Sequence, residues 1–140
     1  VGESAGAFDD AIGETDDLLA AVSWLRGRWP ALPLWLAGFS FGSYVAVRAA
    51  RALNQAGQPQ SGLLLVAPPV HHYPFDEIDS VGSPVWLVQG DEDEVVPADE
   101  VLSWARQSPL KPEIQVMPGC GHFFHGRLTE LKDRVALRFP

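Results

Sequence analysis

Cysteine is nearly absent: Cys120 stands alone in 140 residues. A single thiol excludes an internal disulfide and a four-thiolate zinc site, and makes a reducing cytoplasm the default expectation. No apolar run approaches the ~18 residues that a membrane-spanning helix needs. The opening residues Val1-Gly2-Glu3-Ser4 are not basic and lead into no apolar stretch, so they do not read as a signal peptide. Basic residues are scarce too: 10 Lys and Arg face 18 Asp and Glu, a net charge of -8. A phosphate backbone would be repelled, which argues against nucleic acid, and no Lys/Arg cluster offers itself to an anionic membrane. What is present is a globular composition, 46% hydrophobic and 20% charged, with enough apolar surface to form a core. The length corresponds to one domain, residues 1–140.

Residues 1–13, with Gly2, Gly6 and Gly13, read as a loop. Glu14, Asp16 and Asp17 sit where the positive end of a helix favours acids, and Leu18, Val22 and Leu25 recur at helical spacing. That helix should stop near Trp29, because Pro30 and Pro33 disfavour continuation. Short apolar runs predict strands over 34–37, 63–67, 85–88 and 114–117. Helices are expected over 41–53, 97–107 and 129–139, with 70–84 irregular. The strands are continuously apolar and alternate with helices. This predicts an α/β fold: a mostly parallel sheet of about four strands with helices on both faces. Trp24, Trp29, Trp35, Trp86 and Trp104 are expected in the core or at its rim.

Gly38-Phe39-Ser40-Phe41-Gly42 lies between a predicted strand and a predicted helix. A nucleophilic serine needs a tight turn that lifts its hydroxyl off the strand end, and flanking glycines allow the backbone to pack closely there. The helix that follows points its N-terminus at the site, where negative charge would be stabilised. The plainer alternative is a glycine-rich turn with a serine N-cap. Gly2-Glu3-Ser4-Ala5-Gly6 matches the same pentad, but no strand precedes it and no helix follows directly, so Ser4 is the weaker candidate.

The acidic run Asp91-Glu92-Asp93-Glu94 follows the third strand, where sites form in parallel sheets. Asp93 is the acid expected to orient a histidine, Asp91 to brace the turn, and Glu92 and Glu94 to face solvent. A solvated acidic loop feeding a helix is the alternative. His122, in Gly121-His122-Phe123-Phe124 after the fourth strand, is the expected general base, packed among aromatics; His125 is its rival. The order Ser40, Asp93, His122 matches the Ser, acid, His order expected for one fold class. His71 and His72, adjacent in sequence, point apart in extended structure and are assigned to surface or pocket wall. Cys120 is expected to be a small buried hydrophobe.

On these three segments, and over essentially the whole chain, the sequence resembles the α/β-hydrolase superfamily. It is most similar to the small lidless bacterial serine hydrolases near the dienelactone-hydrolase and prolyl-oligopeptidase branches. Val1-Gly2-Glu3-Ser4-Ala5-Gly6 resembles the tail of that family's Arg-Gly-x-Gly-x-Ser loop, which makes Ser4 a loop residue. The resemblance implies further N-terminal strands and an upstream loop carrying a second oxyanion donor, for which this sequence has no counterpart. The amide of Phe41 is the one donor it names. The expectation is therefore a protein that is naturally longer or that pairs with the missing piece or with itself. Otherwise the 34–37 strand would stand as an apolar edge prone to aggregation.

The leading functional expectation is a serine hydrolase cleaving carboxylic esters or related acyl substrates. Ser40 would be nucleophile, His122 base, Asp93 its orienting acid and the Phe41 amide the oxyanion donor, with no cofactor or metal. A short gap between strands leaves no room for a large cap, which favours small, accessible esters. A peptidase or thioesterase on the same residues, or a non-catalytic binding or scaffold protein on the same fold, are the alternatives.

Overall fold

The structure, a computed structural model, describes residues 5–138. The order of elements is α1 (Ile12–Arg28), β1 (Trp35–Phe39), α2 (Phe41–Gln55), β2 (Gly62–Val66), a 3-10 turn (Phe75–Glu77), β3 (Val85–Gly90), α3 (Ala98–Gln107), β4 (Glu113–Met117) and α4 (Leu128–Ala136). The strands form one parallel sheet in the order β1-β2-β3-β4. The predicted α/β architecture is the observed one.

The topology explains how the helices are distributed. Each strand is laid on the same side of its predecessor, and parallel crossovers share one hand, so successive connections fall on the same face. Residues of α2, the 3-10 turn and α3 accordingly share one core with Leu36, Leu63, Leu65 and Leu87, and α1 packs against α2. Side chains alternate across a strand. Leu64, Val66 and Val88 therefore point to the opposite face, where Leu131 and Val135 of α4 pack against them with Met117, Cys120 and Phe124. Both faces are covered as expected, though unevenly. β2 is buried at every position, which is why its sequence reads as an unbroken apolar run.

Several details differ from the sequence reading. β1 runs on through Phe39, because its ladder with β2 continues to Ser40 N, which donates to Val66 O at 2.8 Å. The irregular 70–84 segment is anchored, with Phe75, Ile78 and Val81 buried. The tryptophans divide. Trp104 is buried against Phe75. Trp35 and Trp86 stack at 5.0 Å over Gly62, where an added Cβ would come within 2.1 Å of the Trp35 ring. Trp24 and Trp29, in contrast, are 62% and 45% exposed and meet only edge to face, so they are not core residues. Helical periodicity could not reveal this, because α1 rests on another helix and leaves much of its circumference to solvent. β1 pairs only with β2 among the described residues, and it forms one edge of the sheet. No helix among the described residues is long and apolar enough to cross a membrane.

Candidate active site

The three sequence segments converge where parallel sheets place their sites, at the C-terminal ends of the strands. Ser40 sits between β1 and α2 with φ 51° and ψ -124°, a left-handed φ that strains any residue but glycine. The turn is held from three directions. Ser40 N donates to Val66 O, Ser43 N donates to Ser40 O at 2.8 Å, and the buried Ser43 hydroxyl lies 2.8 Å from Gly38 O and 3.0 Å from Val66 O. Ser43 was not singled out from sequence. Its signal is a small polar residue among the otherwise largely apolar residues of the helix's buried face.

The two glycines of the pentad are not equivalent. A Cβ on Gly38 would lie 2.1 Å from Gly42 O, whereas a Cβ on Gly42 would have nothing within 4 Å. We expect Gly38→Ala to lose about 1–3 kcal/mol or more to this overlap. Gly42→Ala should stay within about 0.5 kcal/mol of the parent. Thermal unfolding of the two variants checks this, and equal losses would contradict it.

Asp93 follows β3, its carboxylate sealed from solvent. Oδ1 accepts the amides of Val95 at 2.9 Å and Val96 at 2.7 Å. Oδ2 accepts Gln89 Nε2 at 3.1 Å and lies 2.9 Å from His122 Nδ1. Three N–H donors and the His122 ring nitrogen thus converge on one carboxylate. Gln89 is fully buried and also reaches the carbonyls of Gly90 and Val96. It went unremarked in the sequence, although a lone polar residue in the run Val-Trp-Leu-Val-Gln-Gly must be hydrogen-bonded once buried. Asp91 braces a turn as expected, accepting the Gly119 amide at 2.7 Å.

His122 is 2% exposed, against Phe39 at 4.9 Å and Phe123 at 5.0 Å between ring centroids. Its Nε2 lies 3.1 Å from Ser40 Oγ. Phe124, buried at φ 51° with Cys120 and Met117, anchors the loop that presents it. The rival His125 is exposed beside Phe123. His71 and His72 lie exposed in a turn rather than in extended chain. Ser4 lies outside the described residues.

Glu92 faces solvent. Glu94 is exposed, as expected, and its Oε2 also accepts the His122 backbone N–H at 3.1 Å, a contact the sequence did not reveal. Its own backbone N–H and then that of His122 hold its carboxyl below the usual carboxylate range. Phe41 N–H belongs to the first turn of α2, where amides have no intrahelical acceptor. The Phe41 ring faces Phe8 and Tyr73 and borders an open cleft of about 700 Å³ between residues 5–9 and α1. Tyr73 has its phenol pushed up by desolvation and then by Asp10 and Glu14, so it remains a neutral hydroxyl.

A parallel sheet with this strand order, a positive-φ serine between strand and helix, and an acid and a histidine on the loops after β3 and β4 defines the α/β-hydrolase fold. Known structures agree. An α/β serine hydrolase homologue from Coxiella burnetii matches with a TM-score of 0.89 and 41% identity, over 100% of this chain and 65% of its own. A lidless α/β serine hydrolase from Xanthomonas campestris matches with a TM-score of 0.86 and 41% identity, over 95% of this chain and 58% of its own. An uncharacterized protein of Rickettsia prowazekii is 31% identical over 96% of this chain. The chain spans 59% of that relative's length. No protein-family model matches.

Proposed function

We propose that this chain is a serine hydrolase that cleaves carboxylic esters or related acyl substrates through an acyl-enzyme. The observation that carries the reading is the unbroken relay from Ser40 Oγ to His122 Nε2 and from His122 Nδ1 to Asp93 Oδ2. With the imidazole neutral and its proton on Nδ1 toward Asp93, the Nε2 lone pair faces the serine hydroxyl. As Oγ bonds to the carbonyl carbon, its proton passes to Nε2 and the π electrons move onto the carbonyl oxygen. The Phe41 N–H and the positive end of α2 stabilise that oxyanion, and Asp93 stabilises the imidazolium. Collapse re-forms the carbonyl and expels the alcohol, which takes the Nε2 proton. Water then repeats the sequence and releases the acid. No step calls for a cofactor or a metal.

Ser40 is half-buried, so a substrate carbonyl can reach it. The exposed rings of Phe39 and Phe123, which flank His122, support small, accessible esters with apolar groups. A fluorophosphonate followed by intact mass and peptide mapping tests the reading. One adduct on Ser40, absent from His122→Ala, is the expected result. Inertness toward both fluorophosphonate and acyl substrates would overturn it in favour of a binding or scaffold role.

A further inference from the structure

Beyond the end of β3, the loop that carries Asp93 and the loop that carries His122 are joined by a ladder of hydrogen bonds. Asp91 N donates to Met117 O at 3.3 Å, and Glu92 N donates to Cys120 O at 3.1 Å. The next rung reverses direction and changes character: His122 N donates to the side chain of Glu94 rather than to a carbonyl. Both loops are shaped around this ladder. A Cβ on Gly90 would lie 2.2 Å from Cys120 O, and a Cβ on Gly121 would lie 2.7 Å from Glu94 Oε2. The titratable groups facing Glu94 are Asp93 on its own loop and His122 on the loop opposite.

We infer that Glu94 is a positioning residue for His122: it fixes the base loop through the His122 amide, and its charge favours the imidazolium formed during proton transfer. This rests on the reading in which His122 is the base. Asp93 aligns the ring from Nδ1, while Glu94 holds the main chain that carries the ring. Two contacts on different atoms fix its direction toward Ser40. The negative charge of Glu94 adds to that of Asp93 when the imidazole gains a proton, with a weaker effect because Glu94 is solvated.

Glu94→Ala and Glu94→Gln separate the two contributions, since glutamine keeps an acceptor oxygen and loses only the charge. We expect Glu94→Ala to lower kcat by about 10-fold with KM little changed, the effect of one charge-assisted hydrogen bond. Glu94→Gln should recover most of that loss. In both variants the His122 ring, followed by NMR, should titrate at lower pH than in the parent, because removing a nearby negative charge disfavours the imidazolium. Unfolding temperatures near that of the parent would confirm that the exposed site leaves the fold intact. An unchanged His122 titration in Glu94→Gln, or an unchanged kcat in Glu94→Ala, overturns the inference. The NMR readout needs no turnover, so failure of the serine-hydrolase reading shows separately, as loss of fluorophosphonate labelling on Ser40 in the parent chain.

Discussion

Replacing Ser40 with alanine is expected to lower kcat/KM for an activated ester by about 10⁴–10⁶-fold, the usual consequence of deleting a serine nucleophile, the role proposed for Ser40. The fold should survive, because the hydrogen bonds that hold the turn come from Ser40 N, Ser40 O and the Ser43 hydroxyl, not from Ser40 Oγ. The same position makes a second, opposite expectation. At φ 51° a side chain is strained and glycine is not. Ser40→Gly should therefore be as inactive as Ser40→Ala yet more stable by about 1 kcal/mol, within the cost of holding a non-glycine residue in a left-handed region. Steady-state kinetics and thermal unfolding of the two variants decide it. A Ser40→Ala protein with parental turnover ends the proposed mechanism.

Asp93→Asn should be nearly as damaging, at about 10⁴-fold in kcat. Three partners of this carboxylate are N–H donors, the amides of Val95 and Val96 and Gln89 Nε2, and the fourth, His122 Nδ1, donates in the tautomer the proposed mechanism uses. An asparagine offers one oxygen and one NH2. If the oxygen keeps the two backbone amides, the NH2 faces Gln89, donor against donor, and faces Nδ1. His122 can then accept only by moving its proton to Nε2, where it no longer has a lone pair for Ser40. The buried mismatch with Gln89 should also cost about 1–3 kcal/mol of stability. Shortening Gln89 to alanine in the Asp93→Asn background removes the opposed donor. It should not restore turnover, because the tautomer of His122 stays wrong. Recovery of kcat in the double variant would show that the tautomer is not the cause.

The parts of the fold that could be read from the sequence were those with a local cause. The unbroken apolar runs of β2 and β3 follow from burial on both faces, and the pentad announces the strand-to-helix turn because only a small residue fits opposite Gly42 O. The acid and the histidine could be narrowed to short segments from their places after strands and from their order in the chain. The sequence could not separate the two glycines of the pentad, whose difference lies in how closely the helix turn approaches Gly38. Nor could it show that Trp24 faces solvent, since an apolar ring at a helical position reads the same whichever side it covers.

The sequence by itself determined the class of fold, the turn that carries Ser40 and the candidates for its partners, because each depends on period, backbone conformation or residue type along a short stretch. Only the tertiary structure decided which candidates meet. His122 and Ser40 are 82 positions apart, and Asp93 and His122 are 29. The exposed position of His125, the four partners gathered on Asp93 and the grip of Glu94 on the His122 amide arise from how neighbouring strand ends and loops are set side by side. Hydrogen bonds and desolvation act over a few ångströms of space, and distance along the chain does not measure that space.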